Sequence, residues 1–344
     1  MKTISNCQSA NRYAMYRILC LSGGGLRGIF QAEFLRRLEE SFGKFWESFD
    51  LIVGTSTGSL IAAGLHVGVA PEKICQYYHK IGPLVFPRRL SWNFERSFDA
   101  IQAVINHKTS GPVYRHTADR FKKLLEHIYL DRTVGDGVSA TELAVTATDV
   151  VNGRVRVFSG LTGAEDLSHK IVDIVMASTS VPGLFPCYEI EDKIPGEDGF
   201  RRETRSFIDG GMWAHSPVLP AIVLAHANRG IPFEDMKVLS IGTGNRYSGI
   251  EVDKYHRFKN NNSDFRLNLL YTAMSAASDA GERAGSYLLG EQNYLHVDPD
   301  IDICGGISLF DYEQAFELLP IQAKIQANHE PVCQFLSELV SVSC

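Results

Sequence analysis

The stretch LIVGTSTGSLIAAGL, from Leu51 to Leu65, places one serine between two glycines at the end of an apolar run. Leu51, Ile52 and Val53 are strand formers, and Leu60, Ile61 and Leu65 then recur at nearly helical spacing. The segment therefore reads as strand, abrupt turn and helix. Gly54 and Gly58 remove side chains on either side of Ser56, which lets the chain reverse sharply and lifts the hydroxyl above the sheet. That arrangement is a nucleophile elbow. A lone G-x-S-x-G match also fits a structural turn with an unreactive serine; the apolar strand before it and the alanine-containing helix after it favour the elbow.

The bulk of the chain narrows the partners. With 34 basic and 40 acidic residues among 344, the formal charge is −6. There is no charged tail, so bulk electrostatics offers nothing to a DNA or RNA polymer. The seven cysteines are odd in number and contain no C-x-x-C pair. Cys20 and Cys75 lie in apolar surroundings, which fits a reducing compartment. No apolar segment is long enough to span a bilayer, and the polar lead over residues 1–14 lacks the apolar core of a secretion signal. The expectation is a soluble cytoplasmic protein that meets any membrane substrate from the surface.

Upstream of the elbow, Tyr16 to Leu21 forms an apolar strand that runs into SGGGLRGIF, with a helix from about Leu26 burying Phe30, Phe34, Leu35 and Leu38. Two strand–glycine–helix units in succession predict an α/β fold, a largely parallel sheet with helices on both faces. Loops carrying chemistry should gather beyond the carboxyl ends of its strands. Downstream, residues 82–112 combine prolines, Arg88 and Arg89 with Val85, Phe86, Leu90, Trp92, Phe94 and Phe98. These groups suit either a core or a lid that borders an anionic bilayer. Ala118 to Tyr129 reads as a helix, Glu142 to Phe158 as a hairpin turning at Asn152 and Gly153, and Lys170 to Ala177 as a short helix stopped before STSVPGLFP. Lys193 to Arg205 is polar and reads as a surface excursion, followed by a short strand at Ser206 to Ile208 that ends in DGG. A helix from Pro217 to His226, a strand from Val238 to Ile241 before GTGN, a helix from Phe265 to Leu289, an extended Tyr294 to Val297 and helix from Tyr312 to Leu336 interrupted at Pro320 and Pro331 complete the chain. One domain over 15–336 is the expected organisation.

Three distant pieces carry chemistry. Gly23, Gly24, Gly25, Arg27 and Gly28 form a loop whose backbone N–H groups can converge on an anion at the start of a helix. Gly23, Gly25 and Gly28 also match the dinucleotide fingerprint, but that motif expects an acidic residue at the end of the next strand, where Asp50 does not lie. No Gly-Lys-Ser/Thr ending supports a Walker loop. Ser56 is the second piece and Asp209, which also follows a strand and precedes glycines, is the third. Acyl transfer needs an oxygen nucleophile, a proton acceptor and donors for the developing oxyanion. Asp209 can be the acceptor if its carboxylate reaches the Ser56 hydroxyl, although capping a turn is its ordinary alternative. A triad completed by His215, His226 or His296 also fits the chain order.

In order, GGGLRG at Gly23 to Gly28, GTSTG at Gly54 to Gly58, ASTSVPGLFP at Ala177 to Pro186 and DGG at Asp209 to Gly211 resemble the patatin-like phospholipase family. The resemblance covers about Ile18 to Gly244, and LLGEQNYLHVDP beyond it looks like part of the family's larger bacterial and plant forms. It implies a three-layer α/β/α hydrolase with a Ser56/Asp209 dyad, an oxyanion hole at Gly23, Gly24 and Gly25 supported by Arg27 and Gly28, and no metal or organic cofactor. It further implies cleavage of fatty-acyl esters of membrane phospholipids, with peripheral association at the inner face of the membrane. Some bacterial members are defence effectors activated by cyclic dinucleotides, which extends the expectation to such an activator; a homo-oligomer is compatible. Two departures stand out. Ser22 occupies a position where many relatives have aspartate, and His215 occupies the usual asparagine position after DGG, where it can contact substrate. A soluble esterase or lysophospholipase, and a non-catalytic binding protein on the same fold, are the rival readings.

Overall fold

The computed structural model describes residues 15–85, 112–182, 184–196, 199–244, 263–301, 307 and 312–341. The polar lead and all but the ends of the segment at 82–112 lie outside them.

β1 (Tyr16–Leu21) is central, and its four inner residues Ile18 to Leu21 are fully buried. It pairs in parallel with β2 (Leu51–Thr55) on one side and β7 (Met236–Ile241) on the other. β3 (Glu142–Asp149) extends this parallel set beyond β2, and β8 (Tyr294–Val297) extends it beyond β7. Side chains alternate across the pleat, so Leu19, Leu21 and Ile52 face one layer while Ile18, Cys20, Leu51 and Val53 face the other. The first layer includes α1 (Gly28–Phe42), α2 (Thr57–His66), α3 (Pro71–Val85), α4 (Pro112–Tyr129) and α5 (Ile171–Thr179). The second layer, after the short α6 (Gly211–Ala214), is built on α7 (Val218–Arg229), which buries Val218, Ala221, Ile222 and Ala225. α8 (Ser263–Leu289) adds Leu289 to that side; α9 (Tyr312–Ala327) and α10 (Glu330–Ser341) return to the first. Three layers result, as expected.

The sheet is mixed rather than wholly parallel. β4 (Arg154–Ser159) returns antiparallel along β3 after Gly153, and β5 (Tyr188–Gly196) and β6 (Gly199–Asp209) form a long antiparallel hairpin. The expected surface excursion at Lys193 to Arg205 is therefore strand. Its charges hid the pattern: Arg202 pairs with Glu191 across the hairpin at 3.0 Å, and Arg205 reaches Asp192 at 3.0 Å. Pro320 is carried inside α9; the helical break falls at Asn328 and His329, and Pro331 stands in the first turn of α10, where its missing N–H is harmless.

One edge of β3 is shared by two strands of opposite direction. β2 occupies that edge up to the Thr55–Thr146 pair, and β6 takes it over at the Asp209–Ala147 pair, while β4 covers the other edge. β2 runs parallel to β3 and β6 antiparallel to it, so their carboxyl ends meet head to head. Ser56 and Asp209, the residues at those two ends, are thus brought together.

Candidate active site

Ser56 sits between β2 and α2 with φ 51° and ψ −122°, a sparsely populated conformation for a residue with a side chain. The surroundings hold it there. The Ser56 carbonyl accepts from the Ser59 hydroxyl at 2.6 Å and the Ser59 amide at 2.9 Å, and the Ser56 N–H donates to Ser178 Oγ at 2.8 Å. Gly58 permits the close approach of α2 to β1, because a Cβ there would lie 2.1 Å from the Leu21 carbonyl oxygen. The Ser56 hydroxyl then donates to Asp209 Oδ2 at 2.7 Å, with no imidazole between them.

Asp209 is 3% exposed. Its Oδ1 accepts the Gly211 N–H at 2.6 Å, and its own N–H donates to the Ser180 carbonyl at 3.0 Å. Burial pushes its pKa up to about 7, while the hydrogen bonds from Ser56 and Gly211 pull the other way. No cation contributes. The carboxylate is thereby a base matched to neutral pH, which an ordinary aspartate is not.

The glycine loop lies against this pair. A Cβ on Gly23 would sit 3.3 Å from Ser56 Cβ and 3.6 Å from His215 Nε2, so nucleophile, loop and imidazole share one neighbourhood. The Gly23 N–H donates to the His215 carbonyl at 2.9 Å, and the Gly23 carbonyl accepts from the Thr243 hydroxyl at 2.5 Å. Gly24 has φ 153°, and a Cβ there would overlap Thr243 Oγ1 at 2.0 Å; only glycine fits. Gln31 Nε2 donates to the Ser22 and Ile241 carbonyls at 3.1 and 2.6 Å, binding the loop to the end of β7. Arg27 is buried at 6% exposure, and Gly28 packs against Thr57 and Tyr78. The Ser22 hydroxyl is buried without a hydrogen-bond partner among the described residues.

The three histidines of the open triad separate. His215 lies beside Gly23 and Gly211, and burial followed by the charge of Arg27 lowers its pKa to about 4, so it is neutral at neutral pH. His226 caps the far end of α7, bonded to the Ile231 carbonyl at 2.9 Å. His296 on β8 faces Glu282 at 2.9 Å and Ser240 at 3.1 Å. Burial opposes its charge, but the carboxylates of Asp298 and Glu282 prevail and raise it to about 10.

Two further groups matter here that were not singled out as residues in the sequence. Ser178 and Thr243 bind the backbone of the elbow and of the glycine loop. Ser178 lies inside ASTSVPGLFP, whose resemblance to a family loop was the signal for it, and Thr243 lies inside GTGN, where the signal was a hydroxyl residue in a short turn after a buried strand. Elsewhere, Asp166, His169 and Asp192 bring ligand atoms within 4.8 Å of one another. Arg156 already lies 2.5 Å from Asp166 and 3.5 Å from Asp192, and Arg205 reaches Asp192. A metal ion would have to displace these guanidinium groups; the cluster is an ion-pair network.

A family model described as patatin-like phospholipase matches residues 19–222, which contain the glycine loop, the elbow and Asp209. The chain belongs to the patatin-like phospholipase family. Patatin-like protein 4 of Arabidopsis thaliana is 27% identical over 322 residues, covering 82% of this chain and 76% of that protein. The cGAMP-activated phospholipase of Pseudomonas aeruginosa is 28% identical over 236 residues, 66% of this chain and 62% of its own. The cUMP-AMP-activated phospholipase of Escherichia coli is 28% identical over 232 residues, 66% and 64% respectively. As a patatin-like phospholipase the chain is a lipid acyl hydrolase by family. Among the described residues, no helix is long and apolar enough to cross a membrane.

Proposed function

We propose that this patatin-like protein cleaves fatty-acyl esters of membrane phospholipids by a Ser56/Asp209 dyad. The observation that carries the reading is the direct 2.7 Å hydrogen bond from the Ser56 hydroxyl to the Asp209 carboxylate. Asp209 takes the hydroxyl proton as Ser56 Oγ bonds to the ester carbonyl carbon. The oxyanion is held by the amides of Gly24 and Gly25, since the Gly23 N–H is engaged by His215, and by the positive end of α2. Collapse breaks the ester C–O bond, and the departing alcohol takes the proton from Asp209. Water then attacks the acyl-Ser56, giving its proton to Asp209; the fatty acid leaves, and Ser56 recovers that proton. Arg27 and Gly28 support the loop, and His215 borders the substrate. One catalytic domain over 15–336 is the unit proposed, acting from the cytoplasm at the membrane surface.

Ser56→Ala should abolish lipase turnover and labelling by a fluorophosphonate while thermal unfolding stays unchanged; a folded variant that still turns over would overturn the dyad. Product analysis on mixed vesicles separates phospholipid cleavage from a soluble esterase or lysophospholipase activity. The names of the two bacterial relatives support a cyclic-dinucleotide activator. Assays across a panel of these compounds should show activation by at least one, and a flat response removes that part of the reading.

A further inference from the structure

The dyad is assembled from chain segments 153 residues apart, and both ends are gripped by the same short turn. Ser178 is fully buried in the last turn of α5. Its Oγ accepts the Ser56 N–H at 2.8 Å, and its carbonyl lies 3.4 Å from the Gly210 N–H. Two residues on, the Ser180 carbonyl accepts the Asp209 N–H at 3.0 Å. We infer that the turn Ser178–Ser180 is the clamp that sets the Ser56–Asp209 geometry, with Ser178 the positioning residue for the nucleophile. This inference rests on the dyad reading.

The physical need lies in the elbow. The β2–β3 ladder ends at Thr55, so the buried Ser56 N–H turns to a side-chain acceptor beyond it. Ser178 supplies it from a rigid platform. Ile171, Ile174 and Val175 are fully buried in the core. The Thr179 hydroxyl donates to the Val175 carbonyl at 2.8 Å, and the Ser180 hydroxyl donates to the Met176 carbonyl at 2.8 Å, which tie the final turn. Without the Ser178 oxygen, the Ser56 amide would be left buried and unpaired, and the elbow would relax away from its φ. The hydroxyl would then lose alignment with Asp209, although neither reacting group had been changed.

Ser178→Ala tests this on the full chain. The kcat should fall about 10- to 100-fold with KM within about twofold, the signature of misplacement rather than lost substrate contact. A second readout does not need turnover. The Ser56 hydrogen bond favours the ionised form of Asp209, so loosening it should move the Asp209 carboxyl titration, followed by NMR, to higher pH. The groups bonded to the Asp209 carboxylate are the Ser56 hydroxyl and the Gly211 amide, the His215 ring lies near Gly211 with Arg27 acting on it, and all remain in the variant. Thr141→Val, which removes a buried hydroxyl outside the clamp that has no hydrogen-bond partner among the described residues, should leave the titration where it was. Ser178→Cys keeps the size with a weaker acceptor and should fall between wild type and alanine, which preserves the test if the alanine variant does not fold. An Asp209 midpoint and kcat unchanged in these Ser178 variants would overturn the clamp. Persistent turnover in Ser56→Ala would instead sink the dyad, while the NMR midpoint would still decide the clamp.

Discussion

The two strands of the β5–β6 hairpin bury an aspartate each and use them in opposite ways. Asp192, 1% exposed, is surrounded by Arg156, Arg205 and His169; burial opposes its charge, but these partners win and hold its pKa at about 2. Asp209, 3% exposed, meets only the dipoles of a hydroxyl and an amide, and burial carries its pKa up to about 7. Two carboxylates shielded from solvent thus titrate far apart, one held ionised and the other raised to where it can accept a proton near neutral pH. What separates them is whether a cation was buried with the acid.

The contrast collapses most visibly if Asp209 is not the base. Asp209→Asn keeps the shape and removes the basicity, and kcat should fall roughly 10³- to 10⁴-fold, as for loss of a buried acid from a catalytic hydroxyl system. In wild type, kcat/KM should rise through an ascending limb near pH 7, because the proton acceptor must be ionised. The sign for stability runs against the sign for activity. The folded pKa of Asp209 exceeds its unfolded value, so its contribution to stability declines as pH rises from about 4 through about 7. Urea unfolding at pH 8 should therefore find Asp209→Asn more stable than wild type. An inactive variant that is also less stable would mean that the aspartate serves the fold.

The opposite result is expected at Asp192 in the other strand of the hairpin. Asp192→Ala leaves Arg205 and Arg156 facing the gap, and unfolding free energy at pH 7 should drop by about 3–5 kcal/mol. Because its pKa is depressed, the stability from the Asp192 carboxylate is present above about pH 4 and is lost as pH falls through about 2. The network is buried, so added salt should change this loss little. A strong salt dependence would place these charges in solvent and dissolve the contrast.

The sequence displayed one of these aspartates and hid the other. GGGLRG, GTSTG and DGG were legible because tight turns and close approaches demand glycine: Gly24 against Thr243 and Gly58 against Leu21 show the demand directly. The apolar strands of the parallel half were legible from Leu19, Leu21 and Ile52, because a strand buried on both faces shows as a local apolar run. The hairpin was not, since Lys193 to Arg205 looks like a solvated loop until Arg202 and Arg205 are seen to meet Glu191 and Asp192 across the strands. Nor could local pattern show that the eight residues of β3 outlast the five of β2, which is what lets β6 dock beside the elbow. Ser178 and Thr243 carry no period and demand no glycine; their roles exist only once distant turns have met.

The smallest effect belongs to His215, and it tests whether the base truly sits at the end of the hairpin. The imidazole lies beside Gly23 and Gly211, in the neighbourhood of the nucleophile. Burial and Arg27 keep it neutral down to about pH 4, so it does not change charge across the expected limb near 7. His215→Asn retains a neutral side chain able to donate and accept, and sacrifices at most about one hydrogen bond's worth of substrate contact. The kcat/KM should fall by less than about tenfold, with KM moving more than kcat. The limb should stay where it was. A loss as deep as that of Asp209→Asn, or a limb displaced from pH 7, would transfer proton acceptance to the imidazole and reduce Asp209 to its orienting partner.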